Sequence, residues 1–598
     1  MAALAGMTAR MSVAQEYAKP LMQGVLDEAD RAALRGNVHP LATRLTHTAN
    51  DLGAVDDSFA IDRMELILKR SAAQERALDQ FLREAQTPGS ASYHKWLTPE
   101  EFGTRFGAAD SDIAAVTGWL ESHGFAVEKV HPGRIAIEFS GTAAQVQDAF
   151  HTEVHSFRIL DAKSGEPETQ FANIRDPQIP SAFGALIAGV SPIHSFHARP
   201  MIKVLGKTSY DVKTHEAKAE WTYPAANVYE LSPADFAVQY DIAPVYKAGT
   251  TGAGQSIGIL SASNVDLSLV ESYQKLFGLT ANLPTVVVDG NDPGQNAAAT
   301  EAYLDVEQSG AVAPAANVIL YVSAGSILTD PLITSGLRAI DDNQVSVISM
   351  SYGTCEAALG ASGNALWAAL WQEAAAQGMT GFVSAGDGGS AGCDNFDTQG
   401  FAEGGLAVNG MGSTPYNVSV GGTDFYYSDY AASSSVLDAQ IATYWSSATT
   451  KTPAVSLLES APEQVWNAAF GYNADDGGIY NPNTSSIVAG SGGASSAALY
   501  PGSGAPTGYV KPYWQAGIGV PADKVRDLPD VALFASNGQN YVAYPICASP
   551  GDCVNIVSNG AVSISSVGGT SASAPSMAGI QALVDQATKS RQGQADVI

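Results

Sequence analysis

The second half of the chain alternates short apolar runs with longer amphipathic segments. The apolar runs predict strands at residues 256–261, 285–288, 318–322, 345–351 and 381–385. The amphipathic segments predict helices at residues 267–277, 298–308 and 365–377. Apolar strands that alternate with helices are typical of a parallel sheet covered on both faces. We therefore predict an α/β domain at 232–598, built on a doubly wound, mostly parallel sheet.

The first third of the chain has a different pattern. It predicts amphipathic helices at residues 61–84, 102–106, 110–123 and 143–150, and strands at residues 125–130, 134–139 and 153–159. The order helix, strand, strand, helix, strand fits a ferredoxin-like α+β domain, which we place at 37–198 after an N-terminal extension at 1–36.

Two further segments interrupt this periodicity. Residues 199–231 are polar and irregular, and we predict a linker between the two domains there. Residues 426–500 are rich in Ser, Gly, Asn and Tyr, which predicts a long surface insertion.

Composition narrows the class of protein. The 598 residues are 45% hydrophobic and 15% charged, which indicates folded domains with sizeable cores. No apolar run is long enough to span a membrane, and residues 1–24 lack the apolar core of a clear signal peptide.

Charge is unevenly distributed. Residues 1–231 contain 22 Lys and Arg and 29 Asp and Glu, whereas residues 232–598 contain 9 and 31, a net charge of −22. So acidic a surface excludes nucleic acid as a natural partner. It suits a protein that works in acid, because few basic groups remain to repel one another once carboxylates protonate. Plain solubility is the alternative explanation.

The four cysteines all lie in the acidic half. Cys547 and Cys553 flank a Pro-Gly turn and could close a small loop, which leaves Cys355 and Cys393 for a second disulfide. Such pairs favour an oxidising, exported setting; free buried thiols are the alternative.

A candidate nucleophile lies near the C-terminal end. An apolar run ends at Val567, two glycines follow, and a helix of small residues is predicted from Ser571 to about residue 587. The first turn of a helix offers free N–H groups that can stabilise an oxyanion. Ser571 could instead be an ordinary N-cap. A second Gly-Gly-Thr at 421–423 is followed by Asp424, and we predict a strand and turn there.

No histidine follows His215. A serine nucleophile usually transfers its proton to histidine, so a Ser-His-Asp triad cannot form within the predicted domain. Either the site is inactive or a carboxylate is the base.

Three carboxylates are candidates for that role. Glu301 and Asp305 are four residues apart on one face of a predicted helix, and Asp387 follows an apolar strand. A buried pair of this kind shares a proton, which raises one pKa. A solvated helix face and a turn aspartate are the alternatives.

These motifs together resemble the sedolisin (kumamolisin-like) serine-carboxyl peptidases, a subtilisin-like family. The resemblance rests on Gly-Thr-Ser-Ala-Ser-Ala-Pro at 569–575, on Glu-x-x-x-Asp at 301–305 and on Ser-Ala-Gly-Asp at 384–387. Residues 93–102, Tyr-His-Lys-Trp-Leu-Thr-Pro-Glu-Glu-Phe, resemble the activation pro-domain of that family. Residues 419–423 and 526–531 also match, so the resemblance covers nearly the whole chain.

The resemblance implies a mechanism and a setting. Ser571 would be the nucleophile, Glu301 its base, Asp305 the partner that orients Glu301, and Asp387 the oxyanion donor beside the Ser571 N–H. The protein would be a secreted, monomeric, acid-active peptidase that cleaves proteins or peptides, with no membrane or nucleic-acid partner. Its own pro-domain would inhibit it until the linker is cut. A catalytically inactive secreted binding protein on the same scaffold is the alternative.

The sequence departs from the family pattern at three places. Ser261 stands where some members have an additional acid, and the substrate segment reads Ser351-Tyr352-Gly353, where others have Trp. The family's calcium loop lies several tens of residues after the nucleophile, whereas Ile598 is 27 residues after Ser571. We therefore expect the calcium ligands to be absent and the catalytic domain to be C-terminally incomplete.

Overall fold

The computed structural model describes most of the chain. The described residues are 19–160, 165–191, 193–213, 217–219, 229–426, 443–446, 456–469, 486–496, 508–536, 542–555 and 560–597. Much of the insertion predicted at 426–500 lies outside them. Its described parts are mixed: Trp445, Leu457 and Trp466 are buried, whereas Tyr426, Leu458 and Val465 are exposed. The prediction of a surface insertion is therefore wrong for the buried residues among them.

The N-terminal domain contains a four-stranded antiparallel sheet. Its strands, in spatial order, are Ala126–Val130, Ala136–Thr142, Ala60–Leu68 and Ile187–Val190. Its helices are Ala72–Gln86, Pro99–Phe106, Asp110–Ser122 and Ala143–Phe150. This order and connectivity are those of the ferredoxin-like fold. The strand predicted at 153–159 does not close this sheet, because Ile187–Val190 takes that place.

Smaller elements complete this domain. A second antiparallel sheet contains Asp51–Ala54, Val154–Leu160 and Pro167–Asn173. The remaining pieces are the strands Arg31–Ala33 and Gln178–Pro180, the helix Pro40–Leu45 and the 3-10 turn Ser181–Phe183.

The single helix predicted at 61–84 is wrong. Its first part is the central strand Ala60–Leu68, and the helix begins only after Ser71. The strand is buried on both faces from Met64 onward, so its continuous apolar run does not mark one face of a helix. Ser71 caps the helix through a reciprocal pair of hydrogen bonds with Gln74.

The C-terminal domain contains an eight-stranded sheet, which confirms the predicted α/β architecture. Six parallel strands follow one another in the order Thr285–Val288, Asn317–Val322, Ser256–Ser261, Val347–Met350, Thr380–Ser384 and Val418–Phe425. The strand Val531–Phe534 pairs in parallel with the last of these, and Glu463–Val465 pairs with it antiparallel.

Helices cover both faces of this sheet. They are Leu267–Leu276, Ala299–Val312, Pro331–Asp342, Glu356–Ala376 and Thr570–Thr588. The helix Pro331–Asp342 was not predicted. The remaining elements are Tyr229–Glu230, Pro233–Gln239, Ala243–Lys247, Gly493–Ala494, Asp527–Leu528, Val542–Ile546, Ala561–Gly568 and Ala595–Val597.

Two helices meet in the middle of the core. We name Thr570–Thr588 the serine helix and Ala299–Val312 the acid helix. A β carbon at Gly579 of the serine helix would lie 2.6 Å from Val312 Cβ. The small residues of the serine helix therefore allow a close approach of the acid helix. Within the described part of the chain, no helix combines the length and apolarity required to cross a bilayer.

The segment predicted as an irregular linker is partly ordered. Arg199–Pro200 pairs antiparallel with Tyr352–Gly353, and the strand Lys203–Asp211 pairs with Ala561–Gly568 and with Ala217–Ala219. The prediction of irregular structure is wrong for these residues. Their backbone groups are satisfied by the C-terminal domain, a partnership that a local pattern does not reveal. Residues 214–216 and 220–228 lie outside the described residues.

Candidate active site

Ser571 lies just after a buried strand. The strand Ala561–Gly568 leads into the serine helix, whose N-cap is Gly569 with a φ of 111°. That conformation suits glycine, and it leaves Ser571 inside the first turn rather than at the cap. Ser571 is completely buried.

The hydroxyl of Ser571 contacts a carboxyl group. Ser571 Oγ donates to Glu301 Oε2 at 2.8 Å and lies 3.3 Å from the carbonyl oxygen of Ser351. Glu301 lies in the first turn of the acid helix. The packing of the two helices therefore brings together a hydroxyl and a carboxyl group that are 270 residues apart in the sequence. A carboxylate at this distance can accept the serine proton.

Asp305 lies one helical turn beyond Glu301 and is equally buried. Its Oδ1 accepts a hydrogen bond from Ser351 Oγ at 2.5 Å. Burial raises the pKa of Asp305 and that of Glu301, and the charge of Asp305 raises the Glu301 pKa further. Two buried carboxylates so close cannot both ionise at low cost, so the pair retains one proton.

Asp387 approaches the same point from another strand. It follows the strand Thr380–Ser384, and its Oδ1 accepts hydrogen bonds from Thr570 N at 2.8 Å and Thr570 Oγ1 at 2.9 Å. Its Oδ2 has no hydrogen-bond partner among the described residues. Burial raises the pKa of Asp387 to about 7, although the Thr570 hydrogen bonds oppose the shift. In acid its free oxygen therefore carries a proton that it can donate.

The backbone at the start of the predicted linker occupies the site. The carbonyl oxygen of Met201 accepts a hydrogen bond from Ser571 N at 3.1 Å, and Met201 N donates to Ser351 O at 3.0 Å. A β carbon at Gly569 would lie 2.5 Å from Met201 O and 2.6 Å from Asp387 Oδ2, so these two oxygens border the same space. Sequence reasoning missed Met201; its only signal was an apolar pair, Met201-Ile202, in a polar segment.

The predicted substrate segment, Ser351 to Gly353, forms one wall of the site. Its backbone pairs with Arg199–Pro200, and its serine contacts Asp305. The Oη of Tyr352 lies 3.3 Å from Ser261 Oγ. Ser261 therefore contacts a phenol rather than extending the chain of carboxyl groups.

The four cysteines form two disulfides. Cys355 pairs with Cys393 across 38 residues, and Cys547 pairs with Cys553 across 6. The longer loop contains Asp387, so this disulfide encloses the part of the chain that carries it.

One cluster of described side chains has the spacing of a possible metal site. One group of acidic and histidine side chains, Glu65, His131 and Glu138, has potential ligand atoms within 4.8 Å of one another. Calcium takes six to eight oxygen ligands. This group offers an imidazole nitrogen, and Arg63 already binds Glu138. It does not fit calcium, and we assign no step to a metal.

Two family profiles match separate parts of the chain. The profile of the pro-kumamolisin activation domain matches residues 47–196, and the profile of the subtilase family matches residues 282–596. Sedolisin of Pseudomonas sp. (strain 101) is 24% identical over 545 residues, covering 88% of this chain and 77% of that protein. Xanthomonalisin of Xanthomonas sp. (strain T-22) is 28% identical over 532 residues, covering 86% of this chain and 57% of that protein.

A solved structure of Pseudomonas sedolisin, described as a serine-carboxyl proteinase, also aligns with this chain. It has a TM-score of 0.43 and 21% identity, and the alignment covers 62% of this chain and 85% of that one.

Proposed function

Because this chain belongs to the subtilase family of serine-type peptidases and carries a pro-kumamolisin activation domain, we propose that it is a secreted, acid-active peptidase. It hydrolyses peptide bonds in proteins or peptides, and it is made as a self-inhibited precursor. The two disulfides support an exported setting.

The hydrogen bond from Ser571 Oγ to Glu301 Oε2, 2.8 Å long, carries this proposal. Glu301 accepts the proton while Ser571 Oγ attacks the carbonyl carbon of the peptide. Glu301 then gives that proton to the leaving amine as the C–N bond breaks. A water molecule then attacks the carbonyl carbon of the acyl-enzyme and gives its proton to Glu301. Glu301 passes that proton to Ser571 Oγ as the ester bond breaks.

Asp305 keeps Glu301 in the ionised form that can act as the base. The pair retains one proton because both groups are buried, and that proton resides on Asp305 when Glu301 faces the serine. Ser351 fixes the orientation of Asp305 through its hydroxyl. Asp305 is thus a positioning residue that acts through Glu301.

Asp387 and the Ser571 N–H stabilise the oxyanion. The Ser571 N–H already binds a peptide carbonyl in this structure, and the unpartnered Oδ2 of Asp387 borders the same space. Asp387 donates only when it is protonated, which is below about pH 7. Glu301 must at the same time be ionised, so activity is confined to acid, between the titrations of the carboxyl pair and of Asp387.

The N-terminal domain acts as the inhibitor. It faces the acidic domain through ion pairs such as Arg63 with Asp289 and Lys129 with Asp341. Its C-terminal continuation, at Arg199 to Met201, lies where a substrate must bind. A substrate therefore cannot enter until this segment leaves.

A pH–activity profile on a denatured protein tests the proposal, with Ser571→Ala as control. We expect a bell-shaped profile with its maximum in acid, no hydrolysis by Ser571→Ala, and labelling of Ser571 by a fluorophosphonate probe after acid treatment. Absence of both hydrolysis and labelling at every pH would instead favour an inactive binding protein on this scaffold.

A further inference from the structure

The segment Arg199 to Met201 binds the active site in the manner of a peptide substrate. It forms an antiparallel ladder with the wall segment, in which Arg199 is opposite Gly353 and Pro200 is opposite Tyr352. The ladder continues with the hydrogen bond from Met201 N to Ser351 O. Main-chain pairing of this kind fixes the register of a peptide, so that one peptide bond alone faces the serine.

That bond is the one between Met201 and Ile202. The carbonyl oxygen of Met201 accepts from the backbone N–H of Ser571, where an oxyanion would be stabilised. A β carbon at Gly569 would lie 3.1 Å from Ile202 Cα, so the residue after the carbonyl also lies against the start of the serine helix. No other carbonyl of the segment has this partner.

The side chain of Met201 fills an apolar pocket. Only 5% of Met201 is exposed, and it packs in one cluster with Phe396 and Trp466. The tip of the side chain reaches Gly353, where a β carbon would collide with its methyl group. The pocket therefore encloses the side chain and ends at Gly353, and it suits a long unbranched apolar side chain.

Acidic groups flank the apolar pocket. Arg199 Nη2 donates to the carbonyl oxygen of Asp394 at 3.1 Å. Burial lowers the pKa of Arg199, and the charges of Asp397 and Asp394 offset part of that shift. Lys203 Nζ forms an ion pair with Asp397 Oδ1 at 2.8 Å. The loop that carries Asp394 and Asp397 therefore contacts the cationic side chains on both sides of the bond between Met201 and Ile202.

The chain beyond Ile202 belongs to the C-terminal domain. The strand Lys203–Asp211 pairs along its whole length with Ala561–Gly568, the strand that leads into the serine helix. A cut before Lys203 would leave this strand in place, and it would separate the N-terminal domain from the rest.

From these contacts we propose that Ser571 cleaves its own chain between Met201 and Ile202, and that the mature enzyme selects peptides of the same pattern. Ser571 Oγ bonds to the carbonyl carbon of Met201, and its proton passes through Glu301 to the nitrogen of Ile202 as the C–N bond breaks. Water then hydrolyses the ester. The preferred substrates have methionine or leucine before the cut bond and a cation two residues earlier. This proposal rests on the proposed function.

The first test locates the cut. The purified full chain is brought to about pH 4, where carboxyl groups titrate, and the product is sequenced from its N-terminus. We expect a product that begins at Ile202 from the wild-type chain and none from Ser571→Ala. Met201→Leu should be cut at the same bond within about threefold of the wild-type rate, because the volume is conserved. Met201→Asp should be cut there about 100-fold more slowly, because its carboxylate would be buried in an apolar pocket.

The second test measures selection in trans. A peptide with the sequence of residues 198–204 is compared with versions that carry Leu, Val or Asp in place of Met201, or Glu in place of Arg199. We expect kcat/KM to be similar for Met and Leu, lower for branched Val, and about 100-fold lower for Asp. The Glu peptide should lose about tenfold, and the enzyme variant Asp397→Asn should reduce that difference.

The outcomes separate the two proposals. Hydrolysis of denatured protein by an enzyme whose N-terminus is not Ile202, or which cleaves the Asp and Met peptides equally, overturns the proposed bond and pocket and leaves the proposed function intact. An uncut chain that also leaves denatured protein intact at every pH overturns both.

Discussion

Thr570 uses both of its donors on one oxygen of Asp387. Its backbone N–H and its hydroxyl reach Asp387 Oδ1 at 2.8 and 2.9 Å, so Oδ1 cannot also carry the acidic proton. Below the pKa of about 7 the proton must lie on Oδ2, the oxygen that borders the space beside Gly569. Thr570 therefore determines that Asp387 donates its proton from Oδ2.

Asp387→Asn should retain part of the activity and shift its alkaline limit upward. The amide oxygen can take the place of Oδ1, which leaves the NH₂ group where Oδ2 lies, and an amide donates at any pH. Asp387→Ala should lose about 10²–10³-fold in kcat, because one oxyanion donor is removed. The measurement is kcat against pH for the three proteins. Equal losses in both variants would contradict the donor role.

Glu301→Gln should lose about 10²–10⁴-fold in kcat, because an amide cannot accept the serine proton. Glu307→Gln is the matched control: Glu307 is buried on the same helix, but its Oε2 accepts from Cys547 N at 3.0 Å, and an amide oxygen can do the same. Activity and circular dichroism are measured together. Near wild-type kcat in Glu301→Gln would show that another group is the base.

Ser351→Ala should lower kcat and leave the acidic limb of the pH profile in place. The Ser351 hydroxyl orients Asp305, but it stabilises the charged form of that residue, and Asp305 carries the shared proton when Glu301 acts as base. The measurement is kcat against pH. An acidic limb raised by about one to two pH units, the shift that corresponds to the loss of a hydrogen bond of about 1.5–3 kcal/mol to a charged group, would instead show that Asp305 is the ionised member of the pair.

Asp341→Asn should release the N-terminal domain at higher pH. Asp341 accepts from Lys129 at 2.6 Å and from His131 at 2.8 Å across the interface. Burial favours a higher pKa for Asp341, but the hydrogen bond and charge of His131, with Lys129, outweigh it and lower the pKa. A lowered folded pKa means that the attraction is complete above the ordinary value near 4 and is lost as pH falls through the folded value.

The other titratable groups at this contact do not reverse the direction of the pH dependence. Glu65 and Asp341 outweigh burial and raise the pKa of His131 to about 10, so His131 stays charged throughout. Burial raises the pKa of Glu373 to about 8 and also raises that of Glu65. The measurement is the pH at which the domains separate in the Ser571→Ala background. Asp342→Asn, which removes only the pair with Arg338 on the same helix, is the control. Separation at equal pH in both variants would contradict the prediction.

Loss of the Cys355–Cys393 disulfide should destabilise the chain more than loss of the Cys547–Cys553 disulfide. Their separations of 38 and 6 residues correspond to loop-closure terms of about 4 and about 2 kcal/mol. Each pair is replaced by serines, and the denaturant midpoint is measured. The first replacement should also reduce activity, because that loop contains Asp387. Equal midpoints would show that the long loop is held by its packing instead.

The sequence by itself determined the architecture of the C-terminal domain. The strands at 256–261 and 285–288 have the bounds that local pattern predicts, because an apolar run buried by its neighbours is a local property of the chain. The absence of histidine after His215 is likewise a property of the sequence alone. It points to a carboxyl group, such as that of Glu301, as the candidate base.

Tertiary structure decided what depends on partners distant in the chain. Residues 61–68 have the apolar content of a helix face, and only the pairing with 136–142 and 187–190 makes them a central strand. Met201 is an ordinary residue in a polar stretch until Ser351 and the serine helix bind its backbone on both sides. Pairing energy of this kind is non-local, so no window of sequence contains it. The pKa of Asp387 has the same origin, since burial beneath other parts of the fold raises it.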